Sequence, residues 1–390
     1  MTRHRPRILV NRHSPGAVQV FSRLGEVTAL ETAAITRDAV READILVVRS
    51  ETRVDAQLLE GSRVRFVGTL TIGTDHVDKG YLRERGIVFA AAPGSNAASV
   101  CEYVTAGLLI RARRTGRPLG GTAIGIVGVG NVGRRVAQAA RVLGMRVLLN
   151  DPPLARATGD PVYRPLEELL EADVITLHVP LTRTGPDATH HFFGRDRLGK
   201  MKPGSLLVNT SRGGVIPTPD LLEALASGRP GAAILDVWEG EPDIDARLLE
   251  KSFLGTPHIA GYSLDGKLNA LRMVYGEVCR FLGVPASWIP PEEEQGGELP
   301  AIRIPPGMRE EEAILAHVVG SAYSIELDDG MLKGTLELER EGRRASFVKL
   351  RSGYRVRREF PARVVDLEGG GETAGGILAG LGFRISGRGG

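Results

Sequence analysis

The amino-acid sequence predicts an α/β protein with two doubly wound parallel sheets and a small C-terminal α+β domain. Short apolar strands alternate with helical segments through the first hundred residues, and a longer amphipathic helix then leads into a second series of the same kind. Such alternation is typical of parallel sheets that are covered by helices on both faces. The composition changes after residue 285, and 390 residues are enough for two or three domains.

The first series contains four predicted strands. They are RILVN (7–11), DILVV (44–48), RFVGT (65–69) and IVFAA (87–91). Two segments between them have helical spacing and stop at a glycine, GAVQVFSRLG and HVDKGYLRERG. The longer amphipathic helix follows as SVCEYVTAGLLIRARR (99–114).

The second series predicts a larger α/β unit. Its strands are AIGIVGVG, MRVLLND, DVITLHVP, SLLVNTSRG, AAILDVW and FLGTPHIA. Helical segments separate most of these strands, for example VGRRVAQAARVLG and TPDLLEALASG. A parallel sheet with helices on both faces is again expected.

The remainder of the chain has a different composition. Residues 285–306 contain six prolines and an acidic run, which predicts a linker. Residues 307–368 are expected to form the α+β domain, with one helix and several strands (AYSIELDD, MLKGTLELER and RASFVKL). We expect the glycine-rich tail, 369–390, to be mobile.

The composition argues against several classes of function. The net charge is only +3, so we expect no nucleic-acid partner. No apolar run approaches the ~18 residues of a membrane span, and no signal peptide follows the basic N-terminus, so no membrane association is expected. Cys101 and Cys279 form neither a disulfide framework nor a CxxC metal site, which suits a cytoplasmic location.

The strongest cofactor signal is GIVGVGNVG. Gly128, Gly130 and Gly133 form a G-x-G-x-x-G pattern between an apolar strand and a helix, and Asp151 ends the next strand. In this βαβ context the glycines allow a tight turn, a close approach to a pyrophosphate and close helix packing. Asp151 would accept ribose hydroxyls and repel a 2′-phosphate, so the sequence predicts NAD as the cofactor.

Ionisable side chains follow successive strands of the second series. Arg212 follows LLVNTS, Asp236 follows AAIL, Glu241 lies just beyond VWEG and His258 follows FLGTP. Ligands bind outside the carboxyl ends of parallel strands. Oxidation of a secondary alcohol needs a base, which suits His258, and a carboxylate such as Glu241 would fix its tautomer. Arg212 can hold a substrate carboxylate in a forked geometry.

The blocks GIVGVGNVG, KPGSLLVNTSRGGVI, ILDVWEGEP and TPHIAGYS resemble the D-isomer-specific 2-hydroxyacid dehydrogenase family, in its order, over residues 7–282. The resemblance implies NAD-linked oxidation of a 2-hydroxy acid, with Arg212, Glu241 and His258 as the catalytic set. It also implies two Rossmann-like or flavodoxin-like domains with the active site in the cleft between them. The substrate-binding domain would comprise 1–98 and 262–284, and the NAD-binding domain 99–261.

Within the family, FVGTLTIGTDHVD, HIAGYSLDGK and YRVRREF are most similar to a branch that oxidises a phosphorylated hydroxy acid in vitamin B6 synthesis. The resemblance implies that Ser50, Thr71 and Tyr262 contact the substrate, and that the C-terminal domain forms a homodimer. The implied NAD contacts are Gly128, Gly130, Asn131, Val132, Gly133, Asp151, Val179, Thr210, Ser211, Arg212, Asp236 and Gly261. Val179 stands where a threonine is expected, so its contact would be through the main chain.

The substrate phosphate needs cations, and we expect Arg49 and an arginine from residues 355–358 of a partner subunit to supply them. Two alternatives stay open. The substrate could be another D-2-hydroxy acid, such as 3-phosphoglycerate or glycerate/hydroxypyruvate, or the chain could be an NAD-sensing, corepressor-like binding protein.

No metal site is expected. His190 and His191 fall in a predicted surface loop without a third ligand. The segment from Asp75 to Asp78 is interpreted as an N-cap and first helical turn, and His178 as a structural histidine.

Overall fold

A computed structural model describes residues 5–291, 299–367 and 372–386. The described chain divides into two compact units. One contains residues 5–96 and 263–291, and the other contains 97–262 and everything described from 299 onward. No helix within these ranges is long and apolar enough to cross a membrane.

The first unit is built on a five-stranded parallel sheet in the order β2-β1-β3-β4-β5. Its strands are β1 (Arg7–Asn11), β2 (Glu26–Leu30), β3 (Ile45–Val48), β4 (Phe66–Thr69) and β5 (Val88–Ala90). Its N-terminal helices are α1 (Ala17–Phe21), α2 (Arg37–Val40), α3 (Ala56–Leu59) and α4 (Lys79–Glu84). The edge strand β2 is absent from the sequence prediction because its residues are half-exposed and interrupted by polar ones.

Both faces of this sheet are buried. Ile8 and Val10 pack in one apolar cluster, whereas Leu9 packs in another on the opposite face. Successive side chains of a strand point to opposite faces, so a strand covered on both sides needs an uninterrupted apolar run. The apolar runs from which β1, β3 and β4 were predicted therefore arise because both faces of the sheet are buried.

The second unit contains a six-stranded parallel sheet in the order β11-β10-β9-β8-β6-β7. Its strands are β6 (Ala123–Val127), β7 (Arg146–Asn150), β8 (Val174–Leu177), β9 (Leu206–Asn209), β10 (Ala232–Leu235) and β11 (Leu254–Gly255). The helices are α5 (Ala97–Thr115), α6 (Gly133–Val142), α7 (Pro152–Thr158), α8 (Leu166–Leu169), α9 (Arg195–Lys200), α10 (Thr218–Ser227) and α11 (Ala246–Lys251). The chain reverses its direction of travel across the sheet at β6, whose neighbours are β7 and β8. Ligand sites of open α/β sheets lie at such a reversal.

The chain then returns to the first unit as α12 (Leu264–Leu282). Ser263 caps this helix by accepting a hydrogen bond from the Gly266 N–H, and Gly283 ends it in the left-handed conformation. Leu271, Val274 and Val278 of α12 pack in the same apolar cluster as Ile8 and Val10. The apolar face of α12 therefore completes the core of the first unit.

The C-terminal segment groups with the second unit. Its helices are α13 (Glu311–Ala322), α14 (Ile325–Lys333), α15 (Arg340–Ser352) and α16 (Glu372–Gly380), and a parallel sheet joins β12 (Ile302–Arg303), β13 (Val364–Asp366) and β14 (Arg384–Ser386). Ile314 and Val318 of α13 share a core cluster with Tyr103 and Leu108 of α5. The fold class agrees with the prediction of parallel α/β sheets and a smaller α+β part.

Two local predictions for this segment are wrong. None of the three predicted strands forms. Their residues lie largely in α14, α15 and a short 3-10 turn, namely the stretches AYSIELDD, MLKGTLELER and RASFVKL. The alternating letters of the first stretch resemble a strand, yet the buried residues of α14 follow the helical period: Ile325, Asp328, Asp329 and Leu332. The glycine-rich tail is not mobile throughout, since α16 buries Ala374 and Leu378, and β14 follows it. Residues 369–371, 387–390 and 292–298 of the predicted tail and linker lie outside the described residues.

Candidate active site

The glycine-rich turn lies between β6 and α6, at the reversal point of the sheet. Gly128 has φ +88°, and a Cβ there would lie 2.6 Å from the His178 carbonyl oxygen. A Cβ on Gly133 would lie 2.0 Å from the Gly128 carbonyl oxygen, whereas one on Gly130 would meet no described atom within 4 Å. Two of the glycines are therefore required by packing, and the third leaves open space beside the backbone.

The start of α6 can accept an anion. Its N-cap residue is Val132, and no side chain of the described residues caps the helix. The first N–H groups of a helix lack intrahelical acceptors and favour phosphate. Asn131 and Val132 belong to this turn, and the open side of Gly130 is the place where a pyrophosphate could approach. The residues present therefore fit a dinucleotide.

Asp151 follows β7 and stabilises the same turn. Its Oδ2 accepts a hydrogen bond from the Val129 N–H at 2.8 Å, and its Oδ1 accepts one from the Leu154 N–H at 3.0 Å. The carboxylate therefore caps α7 and holds the glycine turn. Its contact with a ribose stays a prediction.

Arg212 lies on the loop that follows β9, and Asn209 shapes that loop. The Asn209 Oδ1 accepts hydrogen bonds from the Ser211 N–H (3.0 Å) and hydroxyl (2.8 Å), while its Nδ2 donates to the Arg212 carbonyl at 3.1 Å. The Arg212 side chain is partly buried and donates to the Ser211 carbonyl at 2.7 Å. The role of Asn209 was not predicted, although it is the polar residue that ends the apolar run.

His258 and Glu241 form a hydrogen-bonded pair. The His258 Nδ1 lies 2.8 Å from the Glu241 Oε2, and the Glu241 Oε1 accepts the Trp238 N–H at 2.7 Å. Burial acts to raise the pKa of Glu241, but the His258 imidazole, the Trp238 N–H and the charge of Arg351 outweigh it and lower that pKa below its usual value. Glu241 is therefore a carboxylate and fixes the orientation of the imidazole, leaving Nε2 for chemistry.

The loop of His258 is held by Asp236, which is 1% exposed. Its Oδ1 accepts hydrogen bonds from the Thr256 hydroxyl and the Ile259 N–H, each at 2.7 Å, and its Oδ2 accepts the Ala260 N–H at 3.0 Å. His258 itself has φ +58°, a conformation that costs free energy for a residue with a Cβ. The buried Asp236 network maintains that conformation. Whether Asp236 also contacts NAD stays a prediction.

One pocket of about 280 Å³ is lined by Arg212, Glu241 and His258, as well as by Arg183 and His190. The three residues of the predicted catalytic set therefore come together, although they follow three different strands. Arg183 was not predicted. It lies on the loop after β8, so its position at a strand end was the available signal.

The remaining predicted cofactor contacts surround the same loops. Val179 follows β8 and packs near Gly128, and Thr210 lies 3.2 Å from the His178 Nδ1 through its hydroxyl. Gly261 lies in the turn closed by the hydrogen bond from the Tyr262 N–H to the Ile259 carbonyl. Their contacts with NAD are untested predictions.

Tyr262 brings the C-terminal segment to this loop. Its hydroxyl accepts a hydrogen bond from the Arg351 Nε at 3.1 Å. The sequence analysis predicted instead that an arginine of residues 355–358, from a partner subunit, binds the substrate phosphate. Arg355 pairs with Asp328, and Arg357 is 2.9 Å from Glu102 in a buried ion pair. These two arginines are thus engaged within their own chain.

The predicted substrate residues of the first unit lie at neighbouring strand ends. Val48 pairs with Thr69 in the sheet, so Ser50 and Thr71 follow β3 and β4 at equivalent positions. The Thr71 hydroxyl is 2.7 Å from that of Thr69 and donates to the Gly73 carbonyl at 2.9 Å. Arg49 donates to the His13 carbonyl at 2.8 Å and lies 3.8 Å from Glu51.

The structure also places the histidine and aspartate residues for which the sequence predicted only structural roles. Burial lowers the pKa of His178 to about 3, and its ring nitrogens lie 3.0 Å and 3.2 Å from the hydroxyls of Thr176 and Thr210. Asp78 is the N-cap of α4, as the interpretation of this segment requires, but Asp75 precedes the helix and does not lie in its first turn. Within the described ranges, no group of three or more His, Cys, Asp or Glu residues could hold a metal ion.

Comparison with known proteins shows the family of the chain. Residues 95–260 match the model described as the D-isomer specific 2-hydroxyacid dehydrogenase, NAD binding domain. An erythronate-4-phosphate dehydrogenase of Azotobacter vinelandii is 45% identical over 93% of this chain and 95% of its own length. Another, from Salinibacter ruber, is 44% identical over 92% of this chain and 93% of its own.

Solved structures show a similar fold. The TT0316 protein from Thermus thermophilus has a TM-score of 0.62 and 31% identity, covering 72% of this chain and 98% of that one. D-Lactate dehydrogenase from Aquifex aeolicus, complexed with NAD and lactic acid, has a TM-score of 0.59 and 25% identity, covering 71% and 95%.

Proposed function

Because the chain belongs to the D-isomer-specific 2-hydroxyacid dehydrogenase family and has erythronate-4-phosphate dehydrogenases as near full-length relatives, we propose that it oxidises 4-phospho-D-erythronate with NAD. The product is (R)-3-hydroxy-2-oxo-4-phosphooxybutanoate, for pyridoxal 5′-phosphate synthesis. The observation that carries this proposal is the 2.8 Å bond between His258 and Glu241 in a pocket that Arg212 also lines.

NAD, when bound, supplies the acceptor for the hydride that leaves C2 of the substrate. His258 Nε2 takes the proton of the C2 hydroxyl as general base. Glu241 holds the imidazole through Nδ1 and stabilises the imidazolium that forms. Arg212 binds the C1 carboxylate and so aligns C2 with His258.

The cofactor residues are proposed on the fit of the turn after β6. The start of α6 and the open side of Gly130 suit the pyrophosphate, and Asp151 suits the ribose. Asp236 supports the His258 loop and is proposed to contact the cofactor, with Val179, Thr210, Ser211 and Gly261 around it.

Four residues are proposed as further substrate contacts: Arg49, Ser50, Thr71 and Tyr262. The hydroxyls can hydrogen-bond the polar substrate, and the Arg49 guanidinium can bind the phosphate. Replacing Arg49 by Ala should raise the KM for the phosphorylated substrate. An unchanged KM would remove Arg49 from this set.

The substrate is tested by initial rates of NADH formation. The purified chain and NAD are given 4-phospho-D-erythronate, 3-phosphoglycerate, D-glycerate or D-lactate, with a 2-oxo acid trap to relieve product inhibition. We expect kcat/KM for 4-phospho-D-erythronate to be at least about a hundredfold above the others. Equal or better rates with another acid would keep the family but reject this substrate.

The same assay separates an enzyme from an NAD-sensing binding protein. An enzyme loses turnover when His258 is replaced by Ala, whereas a corepressor-like protein never shows turnover. We favour an enzyme over a binding protein, because Arg212, Glu241 and His258 line one pocket.

We also propose a cytoplasmic homodimer that forms through residues 307–368. Leu327 and Met331 are one turn apart on α14 and about half exposed, as is Val348 on α15. Such exposed apolar residues suit an interface. Light scattering should give twice the chain mass of 41.8 kDa, and Met331→Glu should shift it toward the monomer.

A further inference from the structure

A cation from the C-terminal segment lies beside the loop of His258. The Arg351 Nε donates to the Tyr262 hydroxyl at 3.1 Å, and its guanidinium carbon lies 5.9 Å from the centre of the Tyr262 ring. Tyr262 belongs to the turn that starts at Ile259, directly after His258. Helix α15 thus brings a guanidinium to the catalytic loop of the same chain.

The charge of Arg351 also acts on the catalytic pair. It is one of the causes that lower the pKa of Glu241 against the effect of burial. Arg351 therefore acts on Glu241 from α15, while Arg212 approaches the pocket from the loop after β9. Guanidinium groups on different elements therefore act on the pair of Glu241 and His258 or line its pocket.

The contact with Tyr262 orients the guanidinium. Arginine has five N–H donors in a planar fork, and the bond to Tyr262 is made by Nε. The two Nη ends of such a fork have the geometry that suits a phosphate, which accepts paired hydrogen bonds from arginine. The ring of Tyr354 packs edge-on against Tyr262 at 6.1 Å and supports it from α15's C-terminal side.

We propose that Arg351 binds the second anionic group of the substrate, at the end opposite the carboxylate that Arg212 holds. This inference rests on the proposed function and deepens it, because the C4 phosphate is the second anion of 4-phospho-D-erythronate. It replaces the expected arginine of 355–358 from a partner subunit with a residue of the same chain. The C-terminal segment is then part of the active site and selects substrates that are anionic at both ends.

The test compares substrates with and without the phosphate. kcat and KM are measured for 4-phospho-D-erythronate and D-erythronate, and for 3-phosphoglycerate and D-glycerate, with the wild type and Arg351→Met. We expect kcat/KM for the phosphorylated acids to fall about 10- to 150-fold, mainly through KM, as for the loss of a charge-assisted hydrogen bond. The rates with the two unphosphorylated acids should fall much less, because these acids lose only the effect of Arg351 on Glu241, which is the smallest of the causes that lower the pKa of that carboxyl.

Three variants serve as controls. Lys349→Met removes an exposed positive charge from the same helix and should leave all four rates unchanged. Arg351→Lys keeps the charge and should recover part of the loss. Arg183→Met removes an arginine that lines the pocket together with Arg212. If Arg183→Met, and not Arg351→Met, removes the preference for phosphorylated acids, the assignment to Arg351 is wrong.

Other outcomes are equally decisive. Equal losses for phosphorylated and unphosphorylated acids in Arg351→Met would mean that Arg351 acts only through Tyr262 or Glu241. A wild type that prefers 3-phosphoglycerate would reject the proposed substrate but retain Arg351, provided that Arg351→Met removes that preference. A wild type without any preference for phosphorylated acids would overturn the role of Arg351.

Discussion

At the scale of single residues, the bond between Glu241 and His258 sets the reactivity of the base. Replacing Glu241 by Gln keeps the shape and an acceptor for the Trp238 N–H, but it removes the charge that stabilises the imidazolium. We expect kcat/KM to fall about 10- to 150-fold, the value of one charge-assisted hydrogen bond. Steady-state rates on 4-phospho-D-erythronate measure this loss, and a Gln variant with the wild-type rate would remove Glu241 from the mechanism.

His178 makes stability depend on pH. Its pKa is about 3 in the folded chain because burial disfavours the imidazolium, whereas the ordinary value is 6.5. Below pH 6.5 the unfolded chain binds a proton that the folded chain does not. The free energy of unfolding therefore falls by up to about 1.4 kcal/mol for each pH unit down to pH 3, and this effect vanishes above pH 6.5.

Urea unfolding at pH 7.5 and pH 5.0 measures this effect. The wild type should lose about 2 kcal/mol more than His178→Gln between these two values. Parallel losses in the two proteins would show that His178 does not carry the proton linkage.

At the scale of elements, two glycines of the turn after β6 have different roles. Gly133 is needed for stable packing, whereas Gly130 is needed for cofactor binding. Gly130→Ala places a methyl group in open space, so the melting temperature should stay within a few degrees while NAD binding weakens. Gly133→Ala places a Cβ against the Gly128 carbonyl and should destabilise the second unit. Thermal melts and NAD titration by fluorescence give both readouts. Weakened stability in Gly130→Ala with unchanged NAD affinity would contradict this division.

The sequence predicted those elements whose residue pattern has a single physical cause. Strands such as β6 and β10 are apolar throughout because both faces are buried, and the glycine turn has a fixed spacing. Helices α14 and α15 were missed, because α14 buries Asp328 and Asp329 among apolar residues and so conceals its period. Asp328 is tolerated there only because Tyr354 and Arg355 pair with it, and those contacts are long-range.

At the scale of the whole molecule, a buried ion pair ties the C-terminal segment to α5. Arg357 and Glu102 are 4% and 5% exposed, and Arg357 also donates to the carbonyls of Ser99 and Ala260. Burial raises the pKa of Glu102 to about 7 although the charge of Arg357 opposes that effect. Arg357→Met removes this cation from the buried carboxyl and should cost about 3–5 kcal/mol of stability.

The matched control is the double variant Glu102→Gln, Arg357→Met, in which no charge of this buried pair remains. It should be more stable than Arg357→Met alone, as measured by urea unfolding. A double variant that is less stable than the single one would contradict the account of an uncompensated charge.

The arrangement of the whole molecule also explains which site residues could be predicted from the sequence and which could not. Arg212, Glu241 and His258 follow successive strands, and parallel strands bring their carboxyl ends to one edge of the sheet. Arg351 lies on a helix far along the chain, and no periodicity in the sequence relates α15 to Tyr262. Its position depends on tertiary packing, which a single sequence does not reveal.

The central claim is that His258 removes the proton as 4-phospho-D-erythronate is oxidised by NAD. The most direct measurement is NADH formation from this substrate by the wild type and by His258→Ala, together with the Kd for NAD of both. We predict turnover by the wild type, a loss of at least about a hundredfold in the variant and an unchanged Kd. Comparable rates in the two proteins, or no turnover by the wild type, would contradict the claim.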